Sequence, residues 1–234
     1  MADQLVLDLP VRPAMGRDDF FVSGSNGAAV ARVEAWRDWA FDKLVLTGPE
    51  GAGKTHLAHV WAELAGAEIV EARSLSEAEM PHLQAARALA LEGLEAIAGD
   101  RAAETRVFHL ANALGGRGAP ILFTARGAPA RLGLSLPDLE SRLAQAELAR
   151  IEAPDDALLS ALIVKLAHDR ALRLSPAILA HAVTRLERSA AAARSFVARL
   201  DARALAKKGP ARLTDARAAL AEIERAVPRS PHDP

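Results

Sequence analysis

The 234-residue chain contains no cysteine. That excludes disulfides, cysteine zinc clusters and thiol chemistry. It also lacks any apolar run near the ~18 residues a membrane span needs, and no charged-then-apolar leader opens it. The expected location is therefore the cytoplasm. Strong charge of one sign is missing too. The net charge of −1 gives no global attraction to nucleic acid. The distribution is less even, with 11 Lys/Arg against 6 Asp/Glu from Ala180 onward. That tail is either a solvated helix surface or a face for an acidic partner or DNA. With half its residues hydrophobic, the chain suits one large domain or a core plus a small second one.

What is present is a phosphate loop. Gly48-Pro49-Glu50-Gly51-Ala52-Gly53-Lys54-Thr55 satisfies G-x-x-x-x-G-K-[ST]. Glycines let consecutive N–H groups face one anion, and the helix that follows adds its positive end. Lys54 is expected to reach the terminal phosphates and the Thr55 hydroxyl to ligate Mg²⁺. Residues 43–47 before the loop read as a buried strand, and His56 to Leu64 as a helix. ADP or ATP with Mg²⁺ is the expected ligand.

Further apolar runs at 67–72, 87–92, 119–125 and 147–152 alternate with helical stretches, which implies a parallel sheet covered on both faces. Upstream, Asn26 reads as the N-cap of a helix from Gly27 to Phe41 carrying Trp36 and Trp39. From Asp155 on, every segment reads helical: 155–170, 175–187, 190–206 and 214–226. The breaks at Ser175-Pro176, Ser189 and Gly209-Pro210 carry cap or breaker chemistry. The expected organisation is an N-terminal tail (1–18), an α/β nucleotide-binding domain (19–153), an all-α lid (154–228) and a frayed C-terminus (229–234).

A P-loop hydrolase needs carboxylates at the end of a second strand. Here 87–91 runs into Glu92-Gly93-Leu94-Glu95. Glu92 can serve the metal, or be a strand-end surface carboxylate. Gly93 has nothing with which to polarise water, so weak or absent ATPase activity is expected. Thr124, at the end of 121–125, either senses a γ-phosphate or is there for its β-propensity. Arg142 precedes the last strand and Arg194 lies in the helical region. Either guanidinium can spread transition-state charge, and one can be supplied by a neighbouring subunit. Spacing alone leaves both readable as surface arginines.

Taken in order, five stretches resemble the DnaA-type branch of the AAA+ ATPases. They are GPEGAGKTHL from Gly48, LEAIAGD from Leu94, Phe108-His109-Leu110-Ala111-Asn112, LGLSLPDLESRL from Leu132 and RSFVARLD from Arg194. Within that family the chain is most similar to the short Hda-type regulators that inactivate the initiator. The resemblance implies a five-stranded AAA+ P-loop core followed by a helical lid. It implies that Arg142 is an arginine finger acting in trans, that Arg194 contacts phosphate in cis, that Thr124 sits at the sensor 1 position, and that Phe21 to Asn26 frame the adenine. His56 joins the nucleotide-binding residues.

Gln4-Leu5-Val6-Leu7-Asp8-Leu9 resembles a motif that docks into the DNA polymerase III beta sliding clamp. Gln4 would contact the pocket rim, with Leu5 beside it, while Leu7 and Leu9 fill the cleft. The alternative is an edge strand. The expected partners are thus the DnaA initiator and the clamp, with DNA reached only through the clamp, no membrane, and room for a homo-oligomer. No helix-turn-helix follows the lid, so a full initiator is not expected. The implied function is negative regulation of replication initiation, by stimulating hydrolysis of the initiator's ATP. Other readings are an autonomous ATPase in DNA remodelling or helicase loading, and a non-catalytic adaptor.

Overall fold

A computed structural model describes residues 20–226. The clamp-motif residues Gln4, Leu5, Leu7 and Leu9 and the 229–234 terminus lie outside the described residues. Five strands form one parallel sheet: β1 (Lys43–Thr47), β2 (Glu68–Glu71), β3 (Leu89–Glu92), β4 (Ile121–Ala125) and β5 (Glu147–Arg150), in the order β2-β3-β4-β1-β5. All five match the apolar runs of the sequence.

Side chains alternate across the sheet, as the two-residue strand period requires. Val45, Leu89, Leu91, Ile121 and Phe123 join a core with α4 (Arg101–Gly115) and α5 (Pro137–Ala144). Leu44, Leu46, Ala90 and Leu122 point the other way, into a core with α1 (Gly27–Glu34) and α2 (Lys54–Ala65). Both faces are therefore covered. A short helix, α3 (Met80–Gln84), packs against α4. Beyond the sheet, α6 (Asp156–His168), α7 (Pro176–Val183), α8 (Ala190–Ala206) and α9 (Leu213–Ala226) enclose a third core around Leu159, Ile163 and Phe196. Asp155, Ser175 and Ser189 cap α6, α7 and α8, each accepting a bond from the N–H three residues on.

Two expectations need correction. The first helix ends at Glu34, not Phe41, and two short 3-10 turns (Trp36–Asp38, Ala40–Asp42) follow. Trp39 is the reason. It stacks on Trp61 with ring centroids 5.3 Å apart, and its indole N–H donates to the Arg32 carbonyl at 2.8 Å. A helix continued to Phe41 could not deliver the ring there and also turn the chain into β1. Asn26 does stand at the N-cap position, but its side chain makes no cap bond. Its Oδ1 accepts from Ser23 N–H and its Nδ2 donates to the Phe21 carbonyl, which ties off the preceding turn instead.

Candidate functional site: a phosphate cradle under a helical lid

The loop between β1 and α2 lines a cavity of about 750 Å³ between the sheet's carboxyl ends and the helical lid. Glu50, Gly51, Ala52, Gly53, Lys54, Thr55 and His56 all face it. Gly48 and Pro49 form the start of the loop, and their carbonyls accept bonds from Lys54 Nζ at 2.7 and 2.9 Å. Burial pulls the Lys54 pKa below the ordinary lysine value, while Glu95 pushes the other way. Gly51 has a left-handed φ of 74° and lies so close to the lid that a Cβ would meet the Ser189 Cβ at 2.8 Å. The Gly51 carbonyl accepts the Ala190 N–H at 3.0 Å. The first turn of α8 is therefore bonded directly to the phosphate loop. Arg194, five residues into that helix region, reaches the same cavity and makes no ion pair with a described residue.

On the sheet side, Glu92 and Thr124 line the cavity. The Thr55 hydroxyl lies close enough to the Glu92 carboxylate to stabilise its charged form. Burial raises the Glu92 pKa above the usual carboxylate value, with the Thr55 hydroxyl and His59 opposing. Its Oε1 is buried with no hydrogen-bond partner. An orphaned carboxylate oxygen beside a loop hydroxyl fits a hard divalent cation completed by phosphate oxygens and water. No group of three or more acidic or histidine ligands occurs among the described residues, so the pair alone makes no all-protein cage. Thr124 is buried, and its Oγ1 accepts the Gly93 N–H at 3.0 Å, leaving its own O–H to donate. Gly93 itself has φ 74°, a left-handed turn that starts the 3-10 segment Leu94–Ile97.

Glu95, whose position the sequence left open, also lines the cavity. It is held by Arg126, through Nε at 3.2 Å and the backbone N–H at 3.2 Å. The same guanidinium reaches Glu50 of the loop at 3.0 Å. Sequence spacing could not reveal this three-residue bridge, because its members come from three separate loops. On the opposite rim, Phe20 packs edge-on against His56 with centroids 5.0 Å apart. Phe21, Asn26, Pro154 and Leu158 complete an apolar slot of the kind a base enters. Asp155 ties that slot to the lid, accepting from Leu158 N–H at 2.8 Å and Ser25 N–H at 3.3 Å.

Arg142 lies elsewhere. It sits in the last turn of α5, outside this cavity, near the start of β1 and β5. Its charge is close enough to Lys43 to add to the burial that lowers that lysine's pKa. It makes no ion pair with any described residue. One residue the sequence reading missed fixes the approach to this helix. Glu104 of α4 is fully buried and accepts from Gly99 N–H at 2.8 Å, Ser135 N–H at 2.9 Å, Ser135 Oγ at 2.9 Å and Leu136 N–H at 2.7 Å. Its signal was available: it falls on the same α4 stripe as Ala103, Val107, Leu110 and Leu114.

Glu92 yields a testable expectation. A carboxyl whose folded pKa is raised contributes stability below its unfolded pKa and loses it as pH rises through the folded one. At neutral pH its burial therefore costs stability. Glu92→Gln keeps the Thr55 contact and should raise the melting temperature of the nucleotide-free protein at pH 7, with the gain vanishing below the ordinary carboxylate pKa. The same variant should lose the Mg²⁺-dependent part of nucleotide affinity in calorimetric titrations. A melting temperature that falls at pH 7 would contradict this.

No family model matches the chain. By sequence it is 26% identical over 150 residues to an uncharacterized protein of Haemophilus influenzae, across 60% of this chain and 65% of that one. It is 28% identical over 147 residues to the chromosomal replication initiator protein DnaA of Caulobacter vibrioides, across 55% of this chain but 30% of the initiator. The chain thus matches less than two thirds of either relative's length. By structure, domain III of the Thermotoga maritima replication initiation protein DnaA superposes with a TM-score of 0.79 at 17% identity, covering 92% of this chain and 98% of that one. AMPPCP-bound DnaA from Aquifex aeolicus gives 0.68 at 18% identity, covering 80% and 65%. The Thermotoga maritima RuvB Holliday junction branch migration motor gives 0.70 at 17%, covering 89% and 72%. A five-stranded parallel sheet, a P-loop at its carboxyl edge and a helical lid bonded to that loop make this a DnaA-like AAA+ fold.

Proposed function

We propose that this chain is a nucleotide-bound regulator of the Hda type, which stimulates ATP hydrolysis by the DnaA initiator and so restrains replication initiation. The observation that carries the reading is the separation of two sites. The chain's own cavity holds a phosphate cradle in which Glu95, the acid that follows Glu92-Gly93, is engaged by Arg126. The guanidinium of Arg142, which makes no ion pair among the described residues, sits at the opposite end of the sheet, where it cannot serve that cavity. A finger so placed acts on a nucleotide held by another protein. On this reading ADP or ATP, with Mg²⁺ held by Thr55 and Glu92, sets the shape of the lid. Arg194 contacts its phosphates in cis, and Thr124 senses the terminal phosphate. Support for a nucleotide also comes from the relative that binds AMPPCP. On this reading the α/β core takes in the described residues from 20 to 153 and the helical lid those from 154 to 226.

The N-terminal Gln4, Leu5, Leu7 and Leu9 tether the regulator to the sliding clamp, so it reaches DNA only through that ring. Among the described residues no helix is long and apolar enough to cross a membrane.

The test is initiator ATP hydrolysis with the clamp loaded on DNA. Wild type should stimulate it, Arg142→Ala should not, and Gln4→Ala/Leu7→Ala should lose stimulation only when the clamp is required. Turnover by the isolated chain that Lys54→Ala abolishes would favour an autonomous ATPase. Full binding to clamp and initiator without stimulated turnover would favour an adaptor.

A further inference from the structure

Phe41 is exposed to 66% and has φ 55°, ψ 26°. Asp42 follows at φ 56°. Two successive non-glycine residues in the left-handed region are unfavourable, and a bulky aromatic there is an outlier. Such strain persists only where neighbours enforce it. Here they do. Lys43 Nζ, buried at the foot of β1, donates to the Phe41 carbonyl at 2.9 Å. The Ala40 N–H donates to Glu147 Oε1 at 2.7 Å, and Glu147 is itself paired with Arg32. The Asp42 N–H bonds back to the Trp39 carbonyl at 3.1 Å, and Trp39 is clamped on Trp61.

Every one of these bonds fixes backbone, and none holds the aromatic ring. Their joint effect is to turn an apolar ring into solvent. Glycine would satisfy the same turn without strain, so folding does not call for phenylalanine at this position.

The position of the ring matters. Glu147 begins β5 shortly after α5 ends, and Lys43, which holds the Phe41 carbonyl, feels the Arg142 charge, so the Phe41 turn and the finger lie on the same end of the sheet. Leu148, on β5 at the end of the sheet order, is exposed to 55% on the same side. A guanidinium with no ion-pair partner among the described residues, beside exposed aromatic and aliphatic anchors, is the composition of an interface hot spot.

We propose that Phe41 is the apolar anchor of the surface that presents Arg142, and that this surface docks onto the nucleotide-bearing rim of an ATP-bound AAA+ partner, the initiator of the reading above, on which this inference rests. Charge complementarity selects that occupant. Arg142 has no ion-pair partner among the described residues and acts together with buried Lys43, only Asp42 opposing at that lysine, so the matching surface carries a concentrated anion, as a triphosphate at a subunit rim does. Phe41 supplies affinity there and Arg142 supplies chemistry.

The experiment titrates ATP-loaded DnaA with wild type, Phe41→Ala, Phe41→Gly, Phe41→Trp and Arg142→Ala, reading direct binding and hydrolysis separately. Phe41→Ala and Phe41→Gly should raise the half-saturating concentration about tenfold or more and leave the saturating rate unchanged. Phe41→Trp should restore most of the affinity. Phe41→Gly should also raise the melting temperature, which a residue kept for folding would not do. Half-saturation within twofold of wild type in both small variants overturns the inference while leaving the Arg142 reading intact. Loss of rate with Arg142→Ala at unchanged binding supports that reading independently. Wild-type binding with no stimulation sinks the finger reading alone, since Phe41 is still judged on affinity. No binding by wild type sinks both. Self-association of the chain abolished by Phe41→Ala would show that a second copy is the occupant and overturn the choice of partner.

Discussion

Arg142→Ala should lower the stimulated rate of initiator ATP hydrolysis by about 10³-fold or more at saturating partner, the scale on which trans arginine fingers act. The size of the loss follows from a guanidinium with no ion-pair partner among the described residues. Arg142 makes no ion pair among the described residues, so removing it breaks no salt bridge there, and the fold should survive. Its charge acts on Lys43, whose pKa burial and Arg142 together hold below the usual lysine value. Deleting the guanidinium relieves that repulsion, and stability should hold or rise slightly. Arg142→Lys should recover little, because a point charge cannot match the planar fork that meets several phosphate oxygens. Single-turnover hydrolysis of labelled ATP on the initiator reads the effect. An unchanged rate in Arg142→Ala at saturation would sink the proposal.

The second large effect is structural. Glu104→Ala should destabilise the protein by about 3–5 kcal/mol, since the N–H groups of Gly99, Ser135 and Leu136 and the Ser135 hydroxyl lose their acceptor inside the core. For a chain of this size that corresponds to roughly 10 °C in melting temperature. Burial alone would raise the Glu104 pKa, but the Ser135 and Gly99 N–H groups, the Ser135 hydroxyl and the Leu136 N–H more than reverse it. The folded pKa is therefore depressed. Its contribution is present above the unfolded carboxylate value and is lost as pH falls through the folded one. Denaturant titrations at pH 7 and at pH 3 should show the wild-type advantage over Glu104→Ala shrinking on acidification. A pH-independent difference would mean that packing, and not the charge, is what Glu104 supplies. Because Ser135 and Leu136 lead into α5, the variant should also weaken Arg142 function at temperatures where it remains folded.

Much of this molecule could be read from its sequence, and the failures have a common cause. The five strands and the P-loop declare themselves because their signals are local: apolar runs of strand length, and glycines at fixed spacing. The caps at Ser175 and Ser189 are local too. Trp39 was misread because Trp36 and Trp39 sit at a helical spacing, while the partner that decides the matter, Trp61, lies far along the chain. Asn26 was placed correctly and given the wrong partner, since its amide can close the turn before it as readily as cap the helix after it. The Glu50–Arg126–Glu95 bridge and the four bonds to Glu104 exist only once the sheet has brought distant loops together. Phe41 carried no sequence signal, because nothing in an Ala-Phe-Asp triplet announces a left-handed backbone.

The bond from Ala190 N–H to the Gly51 carbonyl makes α8 a lever with its fulcrum on the phosphate loop. Seventeen helical residues extend about 26 Å. A tilt of about 10° at the loop would carry the distant end of the helix by about 4–5 Å over that length. α9 packs along α8 and would travel with it. A sub-ångström adjustment around one glycine carbonyl can thus be amplified into a displacement that another protein can feel.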